Sequence, residues 1–205
     1  MSLTLVIDTA TAACSVALVE AGRVVAERHE AVGRGHAERL VPMIATLPGG
    51  GRAGAILVDC GPGSFTGLRV GLAAAIGMGI GWDASVKGYS STVLVAAAGF
   101  AAYPDWPALA VVLEGGHGEV FVERFDRTLT RTAPLASLRP DAAVAACAGL
   151  PAIGDGVRHL GTAHEPRIEA LPRAADAILL PASQAMLAPR PIYGRAPDAR
   201  PKAAA

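Results

Sequence analysis

Apolar residues along this chain recur with two different periods. Residues 3–7, Leu-Thr-Leu-Val-Ile, form a short apolar run that stops at Asp8, and a run of that length bounded by turn residues predicts a buried strand. Residues 14–20 and 23–29 continue as two more strands around Ala21-Gly22, so the chain opens with two linked hairpins. After Gly33-Arg34-Gly35 the period changes. Leu40, Met43, Ile44 and Leu47 fall at i, i+3, i+4 and i+7 and predict a helix over 36–47, bent at Pro42 and stopped by Pro48-Gly49-Gly50-Gly51. A fourth strand over 55–58 leads into Gly61-Pro62-Gly63-Ser64-Phe65-Thr66-Gly67-Leu68-Arg69-Val70-Gly71, and then into a long apolar helix ending at Trp82.

This strand, glycine loop and helix is where chemistry is first expected. Ser64 or Thr66 can cap the helix, and the loop N–H groups could face an anion. The spacing is neither a Walker loop nor the dinucleotide fingerprint, and a ligand-free strand–helix turn reads the same way. Gly67, Gly71, Gly77, Gly79 and Gly81 all lie in the helix; each interior glycine disfavours a helix by about 0.8–1 kcal/mol relative to alanine, so burial must hold it. On a helical wheel Leu68, Leu72, Ala75 and Ile76 form one stripe, expected on the sheet. Val70, Ala74, Gly77 and Gly81 form a second, nearly opposite, which either packs inside the lobe as well or meets another molecule.

A short strand is expected over 85–87 and a third helix over 90–102. The stretch 88–103 carries no charge, but it opens with Gly-Tyr-Ser-Ser-Thr and ends in Tyr103-Pro104. A membrane span needs about 20 mostly apolar residues, so a capped, buried helix explains it better. Tyr103-Pro104-Asp105-Trp106-Pro107 marks a boundary. The second half repeats the opening: a strand over 108–113, the turn Glu114-Gly115-Gly116-His117-Gly118, and an alternating strand over 119–125. Weak helical signals follow over 138–147 and 174–187. The expected organisation is an N-terminal lobe over 1–103, a smaller lobe over 104–188, and a Pro/Arg-rich flexible tail over 189–205.

Composition narrows the classes. The 205 residues are 52% apolar and 18% charged, enough for a sizeable core. Eighteen Lys and Arg balance eighteen Asp and Glu, so no global field draws in nucleic acid. Cys14, Cys60 and Cys147 are far apart and form no C-x-x-C, which argues against a disulfide framework or a zinc site. With no targeting segment visible, a cytoplasmic protein is expected.

Ile7-Asp8-Thr9-Ala10-Thr11 followed by Cys14-Ser15-Val16-Ala17-Leu18, residues 36–43, residues 61–71 and Gly118-Glu119-Val120-Phe121 together resemble the TsaB (YeaZ) family. The likeness is good over about residues 3–125 and looser beyond. It implies an α/β, two-lobed actin-like ATPase/sugar-kinase (ASKHA) fold with mixed sheets flanked by helices. It also implies a non-catalytic scaffold subunit for threonylcarbamoyl transfer to the adenosine beside the tRNA anticodon. The implied partners are TsaD and TsaE, with a homodimer when isolated and tRNA reached only through the complex. TsaD-type metal histidines would align with Ser91 and Val95, which cannot replace two imidazoles, so no metal is expected.

No cofactor is required on this reading. A vestigial site for weak ATP or ADP binding would comprise Asp8, Thr9, Gly63, Ser64 and Gly115. Thr9-Ala10-Thr11 lacks the glycines that let backbone approach phosphate, and Glu114-Gly115-Gly116-His117 replaces the family's Asp-Ala-Arg. The implied partner interface is His36, Leu40, Met43, Val70, Ala74 and Gly77. Arg69 in a first helical turn opposes the helix dipole, so it either binds something or is solvated. The alternatives are a stand-alone ASKHA-type ATPase or small-molecule kinase, and a metallopeptidase, against which the missing histidine pair speaks.

Overall fold

The structure is a computed structural model describing residues 3–195. Its first sheet has the order β3-β2-β1-β4-β5, built from β1 (Thr4–Asp8), β2 (Ala13–Glu20), β3 (Arg23–Ala31), β4 (Ala55–Asp59) and β5 (Ser85–Tyr89). β1 and β2 pair antiparallel, as do β2 and β3, whereas β4 joins β1, and β5 joins β4, in parallel. The helices α1 (His36–Ala45), α2 (Phe65–Trp82) and α3 (Ser91–Ala102) follow the strands in turn.

The second sheet reproduces the scheme. β6 (Ala108–Gly116), β7 (Glu119–Asp126), β8 (Arg131–Leu138), β9 (Ala152–Ile153) and β10 (Arg167–Ile168) take the order β10-β9-β6-β7-β8, with β9 parallel to β6. In both sheets a three-stranded meander is extended by parallel strands. A parallel neighbour needs a crossover connection, which α1 supplies in the first sheet and α4 (Pro140–Ala146) in the second.

β8 has no counterpart in the sequence reading, which expects only a helix from residue 138. Arg131–Leu138 contains Pro134 and lies at the sheet edge, where a missing N–H is tolerated and the strand pattern is weakest. The helix expected over 174–187 is instead two short 3-10 turns, Ala174–Leu179 and Ala182–Gln184, divided at Pro181. The start of the expected flexible tail is tied down: Ile192 donates its N–H to the Cys60 carbonyl at 2.7 Å and packs against the first core. Residues 196–205 lie outside the described residues.

One core joins α1 and α2 to the first sheet through Leu5, Ile7, Val16, Leu18, Leu40, Ile44 and Leu72. α3 lies between the sheets. Leu94 faces the first, whereas Val93, Val95 and Phe100 enter the core of the second with Leu109, Val111 and Phe125. A polar bridge runs alongside: the Thr92 hydroxyl donates to Glu123 at 2.6 Å, and Arg131 grips the other Glu123 oxygen at 2.7 Å.

By length and composition α2 could cross a membrane, but Leu68, Leu72 and Ala75 seat it on the sheet. Ile76, expected on that stripe, is 41% exposed. The buried stripe passes instead through Gly71 and Gly79, where small residues bring the helix axis close and turn Ile76 outwards. A Cβ on Gly67 would collide with the Thr9 carbonyl, whereas one on Gly77 meets nothing within 4 Å. Gly67→Ala is therefore expected to destabilise the fold by ~2–3 kcal/mol, and Gly77→Ala to stabilise it by up to ~1 kcal/mol. Denaturant titration of both variants measures the difference.

Candidate functional site: a buried carboxyl pair beneath the glycine loop

β1 and β4 run parallel with Ile7 beside Val58. One step further along the same register lie Asp8 and Asp59, both at strand ends and both buried. Asp8 accepts the Ala10 N–H at 3.3 Å and the Tyr89 hydroxyl at 2.8 Å. Asp59 accepts the Gly61 N–H at 2.7 Å and the Ser91 hydroxyl, which lies 2.8 and 2.7 Å from its two oxygens. The two carboxyls also act on each other electrostatically. Burial pushes both up, and the charge of Asp8 drives Asp59 well above the ordinary carboxylate range. The pair therefore holds one proton between its two groups and titrates as a unit.

The pair sets the backbone around it. The Asp8 carboxylate turns the chain at Thr9 and Ala10, and the Asp59 carboxylate turns it at Gly61. The two turns then lock together. Ser64 N–H donates to the Ala10 carbonyl at 2.6 Å, and the Thr9 hydroxyl donates to the Gly67 carbonyl at 2.8 Å. Cβ atoms on Gly63, Gly67 or Gly71 would strike Ala10 or Thr9. These glycines let one turn lie directly on the other. Ser64 caps α2, its hydroxyl accepting the Gly67 N–H at 3.2 Å.

The sequence-predicted nucleotide residues are thus placed as follows. Asp8 and Thr9 are buried, with their polar atoms engaged inside the fold, so neither side chain faces a ligand. Gly63 serves the contact between turns, and Ser64 serves the helix cap. Gly115 lies at the end of β6, at an irregularity in its pairing with β7, where a Cβ would press on the Glu119 backbone at 3.1 Å. The residues present do not fit a phosphate group in this conformation. They do not fit a TsaD-type metal either, since Ser91 is committed to Asp59 and Val95 to the second core.

Asp59 and Tyr89 are absent from the sequence reading. The available signal was that two apolar runs, 3–7 and 55–58, each stop at an aspartate before a turn. A second acidic couple lies in the second sheet, with Glu114 near the end of β6 and Asp155 two residues beyond β9, offset by one position from the β6–β9 register. Asp155 accepts the Glu114 N–H at 3.0 Å and is raised to about 6, mainly by burial. Burial acts upwards on Glu114 too, but hydrogen bonds from His159 and Arg158 hold it below the usual range.

The expected partner surface is redrawn. His36 is buried with Nε2 at 2.9 Å from the Thr11 carbonyl, and Leu40 and Met43 belong to the core, so none of the three can touch another molecule. Val70 and Ala74 are half-buried against that core, whereas Gly77 is exposed. The outward face of α2 carries Phe65 (56% exposed), Ile76 and Ile80 (81% exposed), with Val41 of α1 also exposed. Arg69 stands on this face, its guanidinium 3.4 Å above the Phe65 ring. That cation–π contact answers the unfavourable helix position.

Two sheets of matching topology bridged by α3 define a two-lobed actin-like α/β protein. Two structures from Pseudomonas aeruginosa share this architecture along almost the whole chain. One, an uncharacterized protein with similarity to peptidase YEAZ, has a TM-score of 0.75 at 27% identity and covers 95% of this chain and 100% of that one. The other, YeaZ, has a TM-score of 0.74 at 25% identity and covers 94% and 100%. The tRNA threonylcarbamoyladenosine biosynthesis protein TsaB of Escherichia coli is 36% identical over 130 residues, which is 60% of this chain and 54% of the relative. The chain thus spans about half the length of the curated relatives it matches. The family described as TsaD: tRNA N6-adenosine threonylcarbamoyltransferase matches residues 23–137. The chain belongs to this family, in its TsaB (YeaZ) branch.

The carboxyl pair makes a pH-dependent prediction. Carboxyls raised in the folded state bind more protons there than in the unfolded chain, so their contribution is full below the ordinary carboxylate range and is lost as pH rises through the folded values. Asp59→Asn keeps an acceptor for the Gly61 N–H and removes the charge conflict. It is expected to gain on the order of 1 kcal/mol once pH is above the folded values and to flatten the fall in stability that begins above the ordinary carboxylate range. Urea melts at successively higher pH check both effects.

Proposed function

We propose that this chain is a non-catalytic subunit in the synthesis of threonylcarbamoyladenosine on tRNA. It would pair with TsaD through the outward face of α2, with TsaE joining the complex. The observation that carries the reading is the apolar face of Phe65, Ile76 and Ile80, which stays exposed although the helix is otherwise committed to the core. Exposed apolar surface of this kind marks association sites, and Phe65 and Arg69 are of the types enriched at interfaces. The biosynthetic role comes from the names of the TsaB relatives.

The interior supports a scaffold over an enzyme. A phosphate-transfer site needs an ionised carboxylate and open backbone donors aimed at its ligand. Here the carboxyls face each other, and the glycines are spent on contact between turns. Among the described residues no group of three or more His, Cys, Asp and Glu is placed to hold a metal ion, and on this reading any metal of the complex belongs to TsaD. On this reading no cofactor is required, and the chain alone turns over no ATP. The net charge of zero suits indirect contact with tRNA through the complex. In isolation, the same face would pair two copies of the chain.

Co-purification with TsaD and TsaE of the source organism is the direct test. Ile80→Arg, at the most exposed position, is expected to leave stability within about 0.5 kcal/mol of the parent and to weaken pairing with TsaD by about 30-fold or more. Val25→Arg, on the distant β3, should pair normally. Undiminished pairing by Ile80→Arg would remove the α2 face from the interface.

A further inference from the structure

The segment after the last 3-10 turn connects both lobes. Leu187 exchanges two main-chain hydrogen bonds with Gly88 at the end of β5, at 2.8 and 3.0 Å. The Ala188 carbonyl lies 3.6 Å from the Cys60 thiol. Ile192 bonds to the Cys60 carbonyl at 2.7 Å, and its own carbonyl abuts Gly61, where a Cβ would sit 3.1 Å away.

Next along the chain, Tyr193 meets the Phe65 ring with centroids 5.8 Å apart, and its hydroxyl accepts from Arg69 at 3.2 Å. Gly194 lies flat on the Phe121 ring of β7. Arg195 reaches His117 at 2.9 Å and Glu119 at 3.6 Å, both beside the β6–β7 turn. In nine residues the chain passes from the edge of the first sheet, over the glycine loop, to the hairpin of the second.

We propose that residues 187–195 form a clasp which closes the cleft between the glycine loop and the β6–β7 turn, and which detaches as a unit while both cores stay folded. Beyond the main-chain bonds of Leu187 and Ile192 and the packing of Ile192 on the first core, its bonds differ in kind from those of the cores. The fastening side chains are partly in solvent, with Tyr193 51% and Phe65 56% exposed, and the ion pair with Glu119 is long and near the surface. Such contacts are individually weak, and segments held this way open well below the cost of global unfolding. Gly194 is required because any side chain there would strike Phe121 and lift the strand.

The three cysteines report on the clasp. All are buried: Cys14 and Cys60 both belong to the first core and Cys147 to the second, but of the three Cys60 is the one whose thiol also lies against the clasp, at the Ala188 carbonyl. The full chain is treated with a thiol reagent under native conditions, and each site is followed by mass spectrometry. In Gly194→Val, and separately in Tyr193→Ala/Arg195→Ala, Cys60 is expected to label at least ten-fold faster than in the parent, with Cys14 and Cys147 unchanged. Amide exchange should quicken in the β6–β7 turn of the same variants. Unchanged Cys60 labelling in both variants, or equal acceleration of all three thiols, would overturn the proposal, since the segment would then be either dispensable or inseparable from the global fold.

Discussion

The proton shared by Asp8 and Asp59 is the constraint on which the first lobe turns. Two carboxyls at the ends of adjacent parallel strands, both buried, cannot both ionise. With one proton between them they become a compact hydrogen-bonding node. Asp8 takes the Ala10 N–H and the Tyr89 hydroxyl; Asp59 takes the Gly61 N–H and the Ser91 hydroxyl. The ends of β1, β4 and β5 and the start of α3 are thereby referred to one point, and the Thr9–Ala10 turn and the glycine loop meet because both begin there.

That arrangement turns the glycine loop inwards. Glycines that would open a loop to an anion here allow Gly63 and Gly67 to lie on Ala10 and Thr9. The serine aligned with a metal ligand completes the carboxyl node instead. The interior is self-satisfied, and what remains available to other molecules is surface. The outer face of α2 keeps large apolar side chains in solvent while its inner face, through Gly71, Ala75 and Gly79, lies close on the sheet.

The duplicated sheet topology has a chemical echo. Glu114, near the end of β6, and Asp155, just beyond β9, bring two acidic groups together in the second sheet, though offset by one position where Asp8 and Asp59 are level. The second pair is only partly desolvated. Glu114 is drawn to Arg158 and His159 and stays ionised, while Asp155 alone is raised, to about 6. Two acidic couples thus differ in outcome: a proton-sharing pair in one lobe, and a salt-bridged carboxylate beside a raised acid in the other. Burial and neighbouring cations decide between the two outcomes.

Local pattern determined much of the molecule by itself. The opening meander, the strand–glycine loop–helix unit, the third helix and the recurrence of strand, turn and strand at residue 108 follow from apolar period and turn residues, and the motifs in 3–125 carry the family. The edge strand Arg131–Leu138 did not follow, because its pairing with β7 supplies what its own sequence lacks. Nor did the direction of each helical face. A wheel places Ile76 with Leu72, yet the close approach permitted by Gly71 and Gly79 rotates it into solvent; the heptad-like spacing of Leu40 and Met43 looks alike for a core and for an interface. Above all, Asp8 and Asp59 are 51 positions apart in the sequence. Only the parallel register of β1 and β4 makes them neighbours, and only burial makes them share a proton.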